Sequence, residues 1–124
     1  MACSILNVTF DCERPADVAR FWSEVTGWPH SHVEMPGNPF WIVAPADDRG
    51  PRLVFVTVAE HKTSKNRVHL DLVPEDRSQA EEISRLLALG ARIVDDRRDV
   101  EPGGWVVLAD IEGNELCLEG GADA

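Results

Sequence analysis

Tyrosine is absent from this 124-residue chain, cysteine is limited to Cys3, Cys12 and Cys117, and basic residues are scarce. Three cysteines are an odd number, and without CxxC spacing they suggest neither a disulfide framework nor a zinc ribbon. Buried or free thiols are the expectation. Twelve Lys and Arg against 22 Asp and Glu leave a net charge of −10, which argues against broad contact with nucleic acid phosphates or anionic lipid. The Arg97-Arg98 pair is too small to reverse that balance. No apolar run approaches membrane-spanning length, and Met1-Ala2-Cys3-Ser4 has neither a basic n-region nor an apolar h-region, so a cytoplasmic protein is expected. Walker and GxGxxG motifs are also missing.

What is present reads twice. Ser4–Phe10 alternates like a strand and leads into a helical pattern ending at Gly27, and Arg67–Val73 leads into another ending at Gly90. A repeat of about 62 residues implies two copies of one supersecondary unit, neither able to form a core alone. A single domain over residues 1–124 is expected, with module one at about 1–62 and module two at about 63–124. A hydrophobic share of 44% and a charged share of 27% fit an ordinary globule.

In the first half, Leu6, Val8 and Phe10 fall on one strand face and Ile5, Asn7 and Thr9 on the other. Pro15 suits a first helical position, and Val18, Phe21, Trp22 and Val25 follow at helical spacing. Pro29–Asn38 reads as loop or irregular strand, while Phe40–Ala44 and Leu53–Ala59 read as strands. In the second half Val68, Leu70 and Leu72 form the apolar face, opposite Arg67, His69 and Asp71. Asp76 with Gln79 three residues on has the form of a capping box, followed by Ala80, Ile83, Leu86 and Leu87 on one helix side. Strands at Arg92–Asp95, Trp105–Ala109 and Glu115–Glu119 follow, with a solvated loop at Asp96–Gly104, a turn at Asp110–Asn114 and a frayed tail from Gly120 to Ala124. The sum is an α+β fold with helices on one face of curved, antiparallel-rich sheets.

Four segments resemble the glyoxalase/bleomycin-resistance/extradiol-dioxygenase superfamily, the vicinal oxygen chelate fold, and within it the small bacterial glyoxalase-like domain proteins. They are Phe10-Asp11-Cys12 leading into Val18-Ala19-Arg20-Phe21-Trp22, then Thr26-Gly27-Trp28, then Lys65 to Leu72, and lastly Gly104-Trp105 through Asp110 to Leu118. The resemblance implies two βαβββ modules whose curved mixed or antiparallel sheets form a U-shaped cavity, with helices outside. With Leu6, Val8, Phe10, Val68, Leu70 and Leu72 toward the helices, alternation sends Asn7, Thr9, His69 and Asp71 to the cavity. On the last strand of each module it does the same for Val54, Val56 and Val58, and for Glu115, Cys117 and Glu119.

Metal-dependent members hold their ion with inward His and Glu or Gln residues, and the matching positions here are Asn7, Val56, His69 and Cys117. Only His69 is a usual ligand, and His69 with Cys117 falls short of the three protein ligands of a catalytic zinc, so no metal cofactor is expected. Asp71, Glu115 and Glu119 are the neighbours that could make up the count. Catalytic candidates are His69, Asp71 and Glu115, the last two as an acid–base pair. Ligand-binding candidates are Asn7, Trp41, Val56, His69, Asp71, Trp105 and Cys117, with the two tryptophans as aromatic walls.

The leading functional expectation is a glyoxalase-like protein that binds a small molecule between its modules without a metal. Two alternatives stand beside it: a metal-dependent lyase, isomerase or dioxygenase, and a bleomycin-resistance-like protein that sequesters a cationic drug. The resemblance also implies a homodimer, with no nucleic acid or membrane partner.

Overall fold

The computed structural model describes residues 2–37, 39–100 and 103–120. It consists of two compact units, Met1–His61 and Lys62–Ala124. The first contains β1 (Asn7–Cys12), α1 (Pro15–Thr26), β2 (His30–Val33), β3 (Phe40–Val43) and β4 (Arg52–Thr57). The second contains β5 (Leu70–Leu72), α2 (Gln79–Ala88), β6 (Arg92–Arg97), β7 (Trp105–Ala109) and β8 (Glu115–Glu119). Each is therefore a βαβββ module. Their sheets have the orders β1-β4-β3-β2 and β5-β8-β7-β6. The β1–β4 and β5–β8 pairs are parallel and the others antiparallel, which makes both sheets mixed and open. Neither helix is long and apolar enough to cross a membrane.

The first helix starts and stops where its residues dictate. Pro15 lacks the N–H that a first turn leaves unpaired anyway, and Gly27 takes the left-handed conformation (φ 74°) while donating its N–H to the Ser23 carbonyl. Between them Val18, Ala19, Phe21 and Trp22 are buried. Phe10 joins this core from β1, with its ring 5.2 Å from Trp22 and stacked 4.9 Å from Phe55 of β4.

The second helix is capped two residues later than the sequence pattern predicts. Ser78 Oγ accepts the Glu81 N–H at 3.1 Å, and the Ser78 N–H donates to Glu81 Oε1 at 3.2 Å, completing a capping box. Asp76 instead accepts from the Arg77 guanidinium on the surface. Gln79, expected in the box, is buried and donates to the carbonyls of Gly104 and Leu118, which ties the start of α2 to β8 and to the residue before β7. The buried stripe is accordingly Gln79, Glu82, Ile83 and Leu86, and it leaves Ala80 and Leu87 exposed.

Strand limits also differ from the alternation. β1 begins at Asn7 rather than Ser4, and β5 shrinks to three residues, because a strand lasts only as long as its partner continues the ladder. Leu6 and Val68, expected beneath the helices, are 70% and 73% exposed. β2 is a regular strand where a loop or irregular strand was expected, and β6 runs on to Arg97 with a bulge between Ile93 and Asp95.

Two tight features hold the second module. A Cβ on Gly104 would lie 2.0 Å from the Arg97 carbonyl oxygen, so only glycine lets these backbones approach. Buried Asp110 accepts from the Glu112 and Asn114 backbone N–H groups and from the Asn114 side chain, which organises the β7–β8 turn.

Candidate functional site

The cross-strand registers define what each sheet presents. In the second sheet, Leu70 lies opposite Leu116, itself opposite Leu108, and Leu72, Leu118 and Val106 form the next apolar row. The other face carries Asp71, Cys117, Val107 and Asp95 in one row, and Glu119, Trp105 and Arg97 in another. Glu115 and Ala109 lie on that face toward the β7–β8 turn.

His69 immediately precedes β5, two residues from Asp71, so the extended chain sends both side chains the same way. His69 Nε2 is 3.3 Å from Asp71 Oδ1. Asp71 faces Cys117 directly across the parallel ladder. One donor atom from each of the three lies within 4.8 Å of the other two. His69 and Asp71 are exposed, whereas Cys117 is 5% exposed.

Burial is the main reason the Cys117 thiol is pushed up to about 11 from its ordinary value near 9.0, and the negative charges of Asp71 and Glu119 reinforce it. The thiol is therefore protonated at neutral pH, which argues against a Cys117–His69 nucleophile–base pair, since the thiolate is the reactive form. Glu115, beyond Cys117, is held by Lys65, whose Nζ donates to Oε1 at 2.6 Å. That bond is the main cause of the upward shift of the Lys65 ammonium. Glu115 is thus engaged as an ion-pair partner.

The first sheet is built on the same plan with different chemistry. Its apolar rows are Val8–Leu53 and Phe10–Phe55, where the second sheet has Leu70–Leu116 and Leu72–Leu118. On the other face Thr9 lies opposite Val54 and Asp11 opposite Val56. Asn7 accepts a 3.0 Å hydrogen bond from Arg52 Nε. Trp41 pairs with Phe55 on the helix-packed face, with its ring 4.7 Å from His32 and 6.0 Å from His30.

Of the residues singled out in the sequence, His69, Asp71, Trp105, Glu115 and Cys117 share one face of the second sheet. Asn7 and Val56 lie on the corresponding face of the first sheet, and Trp41 on its opposite face. Asp95 and Arg97, ion-paired at 2.9 Å on that second-sheet face, were not singled out in the sequence, where Asp95 ends the expected strand Arg92–Asp95 and Arg97 falls in the expected solvated loop.

Three donors of different chemistry, a ring nitrogen, a carboxylate oxygen and a sulfur, fit a divalent cation in type and number. Three protein ligands are what a site with an open position needs. The first sheet offers no equivalent set among its described residues.

Two mixed βαβββ modules with this topology define the vicinal oxygen chelate superfamily. The chain belongs to the glyoxalase-like domain family, which it matches over residues 7–119. Among solved structures it is similar to the fosfomycin resistance protein FosX from Mesorhizobium loti, at 13% identity with a TM-score of 0.73, over 98% of this chain and 94% of that one. A mutant FosX from Listeria monocytogenes, complexed with Mn(II) and 1S,2S-dihydroxypropylphosphonic acid, gives a TM-score of 0.75 at 13% identity over 98% and 95%. A possible glyoxalase from Bacillus cereus gives 0.63 at 16% identity over 95% and 99%. No curated protein matches the sequence. At these identities the likeness establishes the fold.

Proposed function

We propose that this protein binds a small molecule on the face of the second sheet that carries His69, Asp71, Cys117 and Trp105, with a divalent cation as the anchor. The observation that carries the reading is the convergence of three donor atoms within 4.8 Å on the face that also presents an aromatic wall. It departs from the metal-free expectation because Asp71 supplies the third ligand that His69 and Cys117 alone lack. FosX, a structural neighbour, is a fosfomycin resistance protein complexed with Mn(II) and a small phosphonic acid, which supports the pairing of cation and small ligand. Bound at His69, Asp71 and Cys117, the cation would act as a Lewis acid toward a ligand oxygen.

The chain's own residues divide the remaining work. Trp105 offers a flat apolar surface in the row beside Cys117. Lys65 holds Glu115 in place, and the Glu119 carboxylate adds negative charge beside the thiol. A thermal-shift screen of metal-stripped protein with divalent cations and then small oxygen-rich acids tests the proposal. A cation-dependent ligand shift is the expected result, and no shift with any cation or ligand would defeat it. Homodimerisation and a cytoplasmic address belong to the same reading. The three cysteines, none in a disulfide, favour a reducing compartment, and sedimentation of the intact chain checks the dimer.

A further inference from the structure

The donor set carries information about which metal it takes. We infer that Cys117 enters the site as a thiolate ligand and that the site selects a borderline-soft cation of the zinc class over manganese(II). This rests on the proposed anchor site and goes further by naming its metal.

Three observations lead there. First, Cys117 is fixed: it lies in the middle of β8, 5% exposed, between Asp71 on one side and Val107 on the other. His69 and Asp71 are exposed and can change rotamer. Donors in a tetrahedral zinc site stand about 3.5 Å apart, given zinc–ligand bonds of about 2.0–2.3 Å. His69 Nε2 and Asp71 Oδ1 are already 3.3 Å apart. Closing a triad spread over no more than 4.8 Å therefore requires only the two surface side chains to turn toward the buried sulfur.

Second, the charges balance. When a divalent ion binds, the Cys117 thiol proton is released to solvent; a carboxylate and the resulting thiolate then supply two negative charges and His69 a neutral nitrogen, so the ion is neutralised inside its ligand shell. Third, the softness is decisive. Manganese(II) lies at the weak end of the divalent series and favours oxygen ligands, whereas a thiolate with an imidazole suits zinc. The manganese in the Listeria FosX complex is thus not a guide to the ion here.

The test uses the intact, metal-stripped chain and metals alone. Zn(II) should bind one per chain and more tightly than Mn(II) by roughly 100-fold or more. Co(II), as a spectroscopic stand-in, should give a near-ultraviolet thiolate-to-cobalt band that Cys117→Ser abolishes and that Cys3→Ser and Cys12→Ser retain. Because Cys117 is buried, circular dichroism of Cys117→Ser accompanies the measurement. Asp71→Asn and His69→Gln, at exposed positions, should each weaken Zn(II) without altering the fold. Equal or tighter Mn(II) binding, or a cobalt spectrum without the thiolate band, overturns this inference and leaves the anchor site standing. Failure of every cation to bind overturns both.

Discussion

At the scale of single residues, Cys117 and Gly104 show how one atom can decide a role. With its thiol pushed up to about 11, Cys117 should resist iodoacetamide at neutral pH, while exposed Cys3 is labelled. Peptide mass mapping across pH checks this, and equal labelling of the two at pH 7 would contradict it. Gly104 has no room for a methyl group, since the obstacle is the Arg97 and Arg98 backbone rather than a movable side chain. Gly104→Ala should cost about 3 kcal/mol in chemical denaturation, the upper end for overpacking. Asp110→Ala removes the buried acceptor for three hydrogen bonds in the β7–β8 turn and should cost about 2–3 kcal/mol, because half-buried donors lose a charged partner.

At the scale of elements, the start of α2 separates two sequence patterns that look alike. Asp76/Gln79 and Ser78/Glu81 both have capping spacing, but only the second pair bonds reciprocally. The choice follows from Gln79, whose amide serves two carbonyls of the module and so sets where the first turn lies. Ser78→Ala should therefore lower stability by about 1 kcal/mol. Asp76→Ala, an exposed change, should leave the urea midpoint nearly where it is. The reverse order in urea midpoints would refute this capping assignment. At the other end of the module, Gly104 and Trp105 bring β7 to β8 with Trp105 opposite Glu119.

At the scale of the whole molecule, the excess of acid over base makes stability depend on how the carboxylates are held. Hydrogen bonds from the Arg98 side chain and then its backbone bring Asp96 down to about 2 from 3.8. Asp76 is lowered by Arg77, and Glu81 by the backbone and hydroxyl of Ser78. A depressed folded-state value contributes stability above the unfolded value that disappears as pH falls through the folded one. Thermal stability should thus decline between about pH 4 and pH 2. His61 runs the other way: its hydrogen bond to Glu13, aided by that charge, raises it above 6.5. Its contribution is complete below 6.5 and is lost as pH rises through the raised value. All these groups are solvent-exposed, so the slopes should be shallow and weaken further with salt. A Tm profile from pH 2 to 9 at two ionic strengths measures both limbs, and a steady rise from pH 7 to 9 would contradict the second.

The two-module plan, the core of α1 and the order of the elements other than β2 were already legible in the sequence, because alternation, helical spacing and the Pro15 and Gly27 signals act over a few neighbouring residues. The likeness of Lys65–Leu72 and Gly104–Leu118 to a known family was legible too, and with it His69, Asp71 and Cys117 as candidates. That the three face the same side was legible from alternation as well, but the 4.8 Å spacing of their donor atoms was not, nor was the pairing of Thr9 with Val54 at the matching face of the first module. Those depend on which residue lies opposite which across strands more than 40 residues apart in the chain. Register is a tertiary property: shifting a ladder by two leaves the alternation unchanged but gives every side chain a different partner. For the same reason Leu6 and Val68 look like core residues in the sequence and are exposed in the fold, since the pairing that would have placed them beneath a helix ends before it reaches them.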